Sequence, residues 1–205
     1  NNTGKTGSYY DGWWIKVSNT GTQLVNKQFG GSYYDYFYDV ESYDSGTVAC
    51  GYRRTSSSSN SYYRPWLAYT DANGNLTGLK ERFINTSGSH VYVQGCTVDT
   101  ASGAVILAGY QSVPNKANEG VLVSVSKKGS SKFVLVPGGT SNDYLRDVTS
   151  MGNGLLVAAG NSYVTNKGYQ GWMVRTTVAL TGVSQFRYGS PASQSDFFFG
   201  VAKIN

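Results

Sequence analysis

Short apolar runs recur along the chain with polar residues and glycine between them, and no segment carries a helical period. Thr47-Val-Ala-Cys50-Gly51-Tyr52, Val105-Ile-Leu-Ala108-Gly109-Tyr110 and Leu156-Val-Ala-Ala159-Gly160-Asn161 are versions of one run. A second run is usually led by tryptophan: Gly12-Trp13-Trp14-Ile-Lys-Val17, Pro65-Trp66-Leu-Ala-Tyr69, Gly120-Val121-Leu-Val-Ser-Val125 and Gly171-Trp172-Met-Val174. Tight turns follow it at Ser18–Gly21, Asp71–Gly74 and Ser126–Gly129, each with a polar residue directly before glycine, as a hairpin with a left-handed residue requires. Strands of this length at even spacing predict antiparallel β-structure.

The runs belong to a larger repeat. Gly30-Gly31-Ser-Tyr-Tyr-Asp35-Tyr36 returns as Gly138-Gly139-Thr-Ser-Asn-Asp143-Tyr144, and in degenerate form as Gly189 to Asp196-Phe197. The copy at Ser87 to Tyr92 has lost its aspartate. Five residues past each aspartate position stand Val40, Cys96, Val148 and Val201, at intervals of 56, 52 and 53 residues. Each unit therefore holds four strands. A runs through Val40 and its counterparts, B ends in Gly-Tyr, C carries the tryptophan, and D runs through stretches such as Gln23 to Phe29. Four-stranded units repeated at about 50 residues predict an all-β fold, a β-propeller of about four four-stranded blades. The whole chain, 1–205, reads as one domain, with units near 1–30, 31–86, 87–138, 139–188 and 189–205.

GG-x-x-x-D-x-x-x-x-V, V-x-x-G-Y, the tryptophan strand and D-x-N-G-N, in fixed order over nearly the whole chain, resemble the bacterial-type β-propeller repeats of secreted and surface proteins. The resemblance implies a propeller fold and an extracellular or cell-surface setting. It implies no single activity, because propellers serve as enzymes, lectins and scaffolds alike. The strand order predicts three whole blades and one incomplete blade made of C, D and A only. Three readings follow: a piece cut from a longer chain, a ring closing with a three-stranded blade, or an open edge completed by a neighbouring chain.

Composition narrows the chemistry. Charged residues are 14% of the chain, with Gly 26, Tyr 17 and Pro 4. No apolar run reaches the length of a membrane helix, so no membrane insertion is expected. The chain opens on Asn1 without a signal peptide and reads as mature or excised. The net charge of +5 is spread too thinly for a nucleic-acid surface. Two cysteines and one histidine lack metal-ligand spacing, so no metal site is expected. His90 reads as a loop histidine ahead of a strand, and no carboxylate pair stands out. No catalytic residue and no cofactor are predicted, and the protein reads as a non-enzyme. Asp35, Asp143 and Asp196 read as acceptors pinning the D–A turns, and Asp71 to Asn75 as a hairpin turn.

The candidate site lies on the long loops. The B–C loops, Tyr52–Pro65, Tyr110–Gly120 and Asn161–Gly171, are long, whereas the A–B and C–D turns are short. The long-loop face collects Tyr9, Tyr10, Tyr33, Tyr34, Tyr52, Tyr62, Tyr63, Tyr163 and Tyr169, with Arg53, Arg54 and Arg64. Tyrosine with serine and asparagine suits recognition of a glycan or a protein; the same rings also suit packing on one another. The function read from the sequence is a non-catalytic recognition or adhesion module. The alternative is a structural subunit of a surface assembly, with other copies or a larger parent chain at the open edge. Trp13, Trp66 and Trp172, in register, read as core. Asn1, Asn75 and Asn85 head glycosylation sequons and are expected to be exposed. Cys50 and Cys96 replace small or apolar residues of the repeat, which leaves two states open: a disulfide between adjacent units, or two buried thiols.

Overall fold

A computed structural model describes residues 10–54, 56, 61–84, 86, 88–112, 115–190 and 194–204, with the side chains of 78–80 left aside. Among them are fourteen strands in four antiparallel sheets and no helix. The first sheet has two strands, β1 (Gly12–Val17) and β2 (Gln23–Phe29). The second is β3 (Asp35–Tyr43), β4 (Gly46–Arg54), β5 (Tyr63–Thr70) and β6 (Leu76–Phe83), in chain order. The third is β7 (His90–Asp99), β8 (Ala104–Ser112), β9 (Glu119–Val125) and β10 (Ser131–Val136). The fourth is β11 (Asp143–Gly152), β12 (Leu155–Val164), β13 (Gly168–Thr177) and β14 (Ser184–Tyr188).

Side chains alternate between the two faces of a strand, and both faces of the third sheet are covered. In the third sheet Val105 and Leu107 join Val48, Cys50 and Leu67 of the second in one core. Ala104, Ile106 and Ala108 turn the other way and join Leu145, Val148 and Trp172 of the fourth. The sheets therefore stack face to face in chain order. The leading strands β3, β7 and β11 lie side by side. Each carries a bulge at the same place, which leaves Tyr38, Gln94 and Arg146 unpaired. A bulge of this kind re-aims its side chain.

The repeated aspartates stitch sheet to sheet. Asp35 is fully buried and accepts the Gly31 N–H at 2.5 Å. Asp143 accepts from Gly138 at 3.0 Å and Gly139 at 2.8 Å, and Asp196 from Ser190 at 2.8 Å. Their own N–H groups donate to Tyr10, Asn118 and Tyr169 of the preceding sheet, each at 2.8 Å. The Asp35 carboxylate also meets Arg53 Nε at 3.0 Å, and Arg53 reaches on to Glu81 at 3.3 Å. Cys50 and Cys96 form a disulfide from β4 to β7, with Cα atoms 6.5 Å apart.

Three expectations are corrected. The incomplete blade of C, D and A strands is not formed. Residues 194–204 contain no strand and run along the fourth sheet, Phe198 N donating to Gly160 O and Val201 N to Asp147, while β1–β2 stand alone. An A-type segment is anchored by the A strand before it, and here no B strand bridges it to β1. Trp13 is not core. It is 60% exposed, although Trp66 and Trp172 at the same register are fully buried, because this tryptophan packs on the sheet before its own and, among the described residues, no sheet precedes β1. Finally, the segment Asn161–Gly171 is not a long loop. β12 and β13 continue to a tight hairpin at 165–167, with Asn166 and Gly168 in the left-handed region (φ 66° and 73°).

Candidate functional site

The tyrosines form a continuous aromatic ribbon across one end of the stacked sheets. Tyr36 and Tyr52 are cross-strand partners on β3 and β4, and Tyr92 and Tyr110 on β7 and β8. Tyr144 holds the same place on β11, opposite Asn161. The shared register sets these rings at one level in three sheets. Centroids run from Tyr10 to Tyr36 at 5.8 Å, Tyr52 at 5.1 Å, Tyr92 at 5.0 Å, Tyr110 at 4.9 Å and Tyr144 at 4.8 Å. The ribbon continues to Tyr169 at 6.3 Å, Phe197 at 5.4 Å and Phe199 at 6.0 Å. These spacings suit offset and edge-to-face aromatic contacts.

The residues predicted from the sequence divide. Tyr10, Tyr34, Tyr52, Tyr63 and Tyr169 stand in the ribbon. Tyr62 flanks it against His90, and Tyr163 against Tyr169. Tyr33 stands on the same crossover as Tyr34, half-buried. Tyr9 lies outside the described residues, as do Asn1 and Asn85. Tyr52, Arg53, Arg54, Tyr63, Arg64, Tyr163 and Tyr169 sit within strands rather than on loops. Arg53 belongs to the scaffold. Its guanidinium is held by Asp35 and Glu81 and lies 5.5 Å from the Trp66 ring. Arg54 pairs with Tyr63 in the ladder, and its charge acts on both Tyr63 and His90. Arg64 pairs with Arg53 in the ladder. Asn75 is exposed, and its amide donates to Asp71 at 3.1 Å.

Sequence reasoning missed Tyr36, Tyr38, Tyr92, Tyr110, Tyr144, Phe197 and Phe199. The signal was present, because the aromatic after each aspartate and the tyrosine closing each B strand are parts of the repeat markers.

The polar groups around the ribbon are ordered. The Tyr38 and Tyr52 hydroxyls lie 2.9 Å apart, and Asn118 Nδ2 donates to Tyr144 at 2.9 Å. Arg146 donates to Gln94 Oε1 at 2.5 Å and lies 5.0 Å from the Tyr144 ring. His90 opens β7, half-buried, and its Nδ1 accepts the Tyr63 N–H at 3.2 Å. Burial, then Arg54, hold His90 below the usual histidine range. Burial pushes the Tyr110 phenol up to about 12, with Tyr92 adding to it. Tyr52 rises further, through burial and then its bond to Tyr38. The ribbon offers ring faces with hydroxyl rims, most of them half-buried or exposed, with Tyr52 buried among them. Asp39, Cys50 and Cys96 lie together, but both sulfurs are in the disulfide. The Asp39 oxygens accept the Val40 and Cys96 N–H groups at 2.8 and 2.9 Å.

These phenols carry a pH prediction. Tyr69 and Tyr110 are both raised from 10.0 to about 12, chiefly by burial. A phenol raised by folding adds stability that is fully present below pH 10 and lost as pH rises through 10 to about 12. Ultraviolet titration should therefore show a group of tyrosines ionising only near pH 12, with loss of the fold. One transition near pH 10 with the fold intact would contradict the burial of Tyr69 and Tyr110.

No protein-family model matches the chain, and comparison with curated proteins finds no relative for it.

Proposed function

We propose that this protein is a non-catalytic extracellular recognition module of β-propeller type, whose aromatic ribbon reads a glycan. The propeller reading is supported by four-stranded sheets that stack in order with their leading strands side by side. The single observation that carries the function is the unbroken line of rings from Tyr10 to Phe199. Tyrosine supplies contact area with few rotors, and its hydroxyl bonds to polar ligands. Sugar rings present apolar faces edged with hydroxyls, which match this surface. A non-catalytic role is supported by the two repeat aspartates that directly precede ribbon tyrosines. Asp35 and Asp143 are buried and spent on backbone N–H groups. A secreted setting is supported by the buried disulfide. Among the described residues no helix is long and apolar enough to cross a membrane.

The test is a glycan-array screen followed by titration calorimetry with the best ligand. Tyr36→Ser and Tyr144→Ser are each expected to weaken binding about tenfold, near 1.4 kcal/mol, with the circular dichroism unchanged. Binding to cell-surface proteins but no glycan would move the reading to a protein ligand. Binding unaffected by both substitutions would overturn the ribbon as the site.

A further inference from the structure

The two ends of the sheet stack are complementary to each other, and none of the described residues covers either. At one end Trp13 is 60% exposed and Val40 is 52% exposed, beside clefts of about 400 and 270 Å³ along β1 and β3. At the other end Phe199 is 72% exposed.

The internal joints show what each end fits. Where the second sheet meets the first, Trp66 stacks on Phe37 at 4.1 Å, and both rings press on Gly12, where a Cβ would come within 2.8 Å of them. Where the fourth meets the third, Trp172 presses on Gly120 in the same way. Gly171 is the next glycine of this series. Its face carries Phe198, at 2.9 Å from where a Cβ would stand, in the place that Phe37 takes over Gly12. The tryptophan that would complete this third seat has its counterpart in Trp13, which β1 leaves exposed.

The leading strands carry a second code. At the residue before Val40, Cys96, Val148 and Val201 stand Asp39, Gly95, Asp147 and Gly200. Each aspartate accepts the N–H of the following leading segment, Cys96 or Val201, at 2.9 Å. Gly95 gives room to β11, since a Cβ there would lie 2.9 Å from the Arg146 carbonyl. A Gly-type segment is thus followed by an Asp-type strand. The segment 194–204 is Gly-type, and β3, whose preceding side is open, is Asp-type.

We propose that these ends join head to tail between two copies of this chain. Trp13 of one copy stacks on Phe198 over Gly171 of the next, and residues 194–204 of that copy lie beside β3 of the first. Such an interface is heterologous, so it builds chains or rings rather than a closed two-fold dimer. It uses an exposed β edge, the element most prone to pairing.

Light scattering behind size exclusion tests this with the whole chain. The wild type is expected to show masses above 22.1 kDa that rise with concentration. Trp13→Arg at one end and Phe198→Ser at the other should each hold the mass at the single-chain value. Trp13 is a surface residue, so that variant stays folded and readable by circular dichroism. The decisive sample is an equal mixture of the two variants. It retains one intact joint, so it should give heterodimers and nothing larger. A wild type that remains monomeric would overturn the proposal, including the case of a monomer whose Trp13 fluorescence is buried because the chain closes on itself. Retained assembly in either single variant would overturn it as well.

Discussion

Trp66→Ala is expected to lower the unfolding free energy by about 3–5 kcal/mol, and Trp13→Ala to change it by less than about 0.5 kcal/mol. The two residues hold the same place in the repeat, so sequence alone assigns them the same weight. Their surroundings separate them. Trp66 is fully enclosed, with its ring on Phe37 and Gly12, and its Nε1 donates to Glu81 at 3.0 Å. Its removal opens a cavity between the first two sheets and strips a partner from Glu81, which also holds Arg53. Trp13 donates to Asn26 at 2.7 Å on an exposed face and loses little to water. Urea denaturation at low protein concentration, where copies do not associate, measures the difference. Equal effects of the two substitutions would contradict the order in which the sheets stack.

The second large effect belongs to the disulfide. Cys50 and Cys96 are both buried, join β4 to β7, and lie 46 residues apart in sequence. Restraining a loop of that size in the unfolded chain contributes roughly 2–5 kcal/mol. The repeat itself supplies the replacements. Ala108 and Ala159 stand at the register of Cys50, and Val148 at that of Cys96. Cys50→Ala with Cys96→Val therefore leaves small apolar groups in a cluster already rich in valine. The double variant should lose about 2–4 kcal/mol in denaturant, and the wild type should lose a similar amount on reduction. Free-thiol labelling of the unfolded, unreduced wild type should find no reactive cysteine. Two labelled cysteines would contradict the bridge.

Much of this fold is legible in the sequence because the repeat constrains it. The aspartate after Gly-Gly predicts a pinned crossover, since a short carboxylate there reaches the N–H groups of its own turn, and Asp35, Asp143 and Asp196 all do so. The antiparallel order of strands follows from the turns. What escapes a local reading is anything decided by the adjacent sheet. Val40 and Trp13 have the chemistry of core residues and are exposed because no described sheet stands ahead of β1 in the stack. Tyr163 and Tyr169 stand amid glycine and asparagine and read as loop residues. One left-handed turn at Asn166 and Gly168 places them on paired strands instead. The ribbon was half visible. Tyr10, Tyr34 and Tyr52 read as loop tyrosines, whereas Tyr36, Tyr92 and Tyr144 read as parts of strands. Only the shared register of three stacked sheets brings their rings together. The bulges at Tyr38, Gln94 and Arg146 leave no mark in the residue types at all.

The aromatic ribbon as a recognition face is tested most directly by following individual ring resonances during a titration with ligand. Protein labelled with carbon-13 in tyrosine should show shifts at Tyr10, Tyr36, Tyr92 and Tyr144 that saturate together with the calorimetric binding curve. Tyr43 and Tyr69, which pack on each other away from the ribbon at 5.0 Å, should stay in place. Saturating binding with the ribbon resonances unmoved, or with shifts centred on Tyr43 and Tyr69, would contradict the assignment.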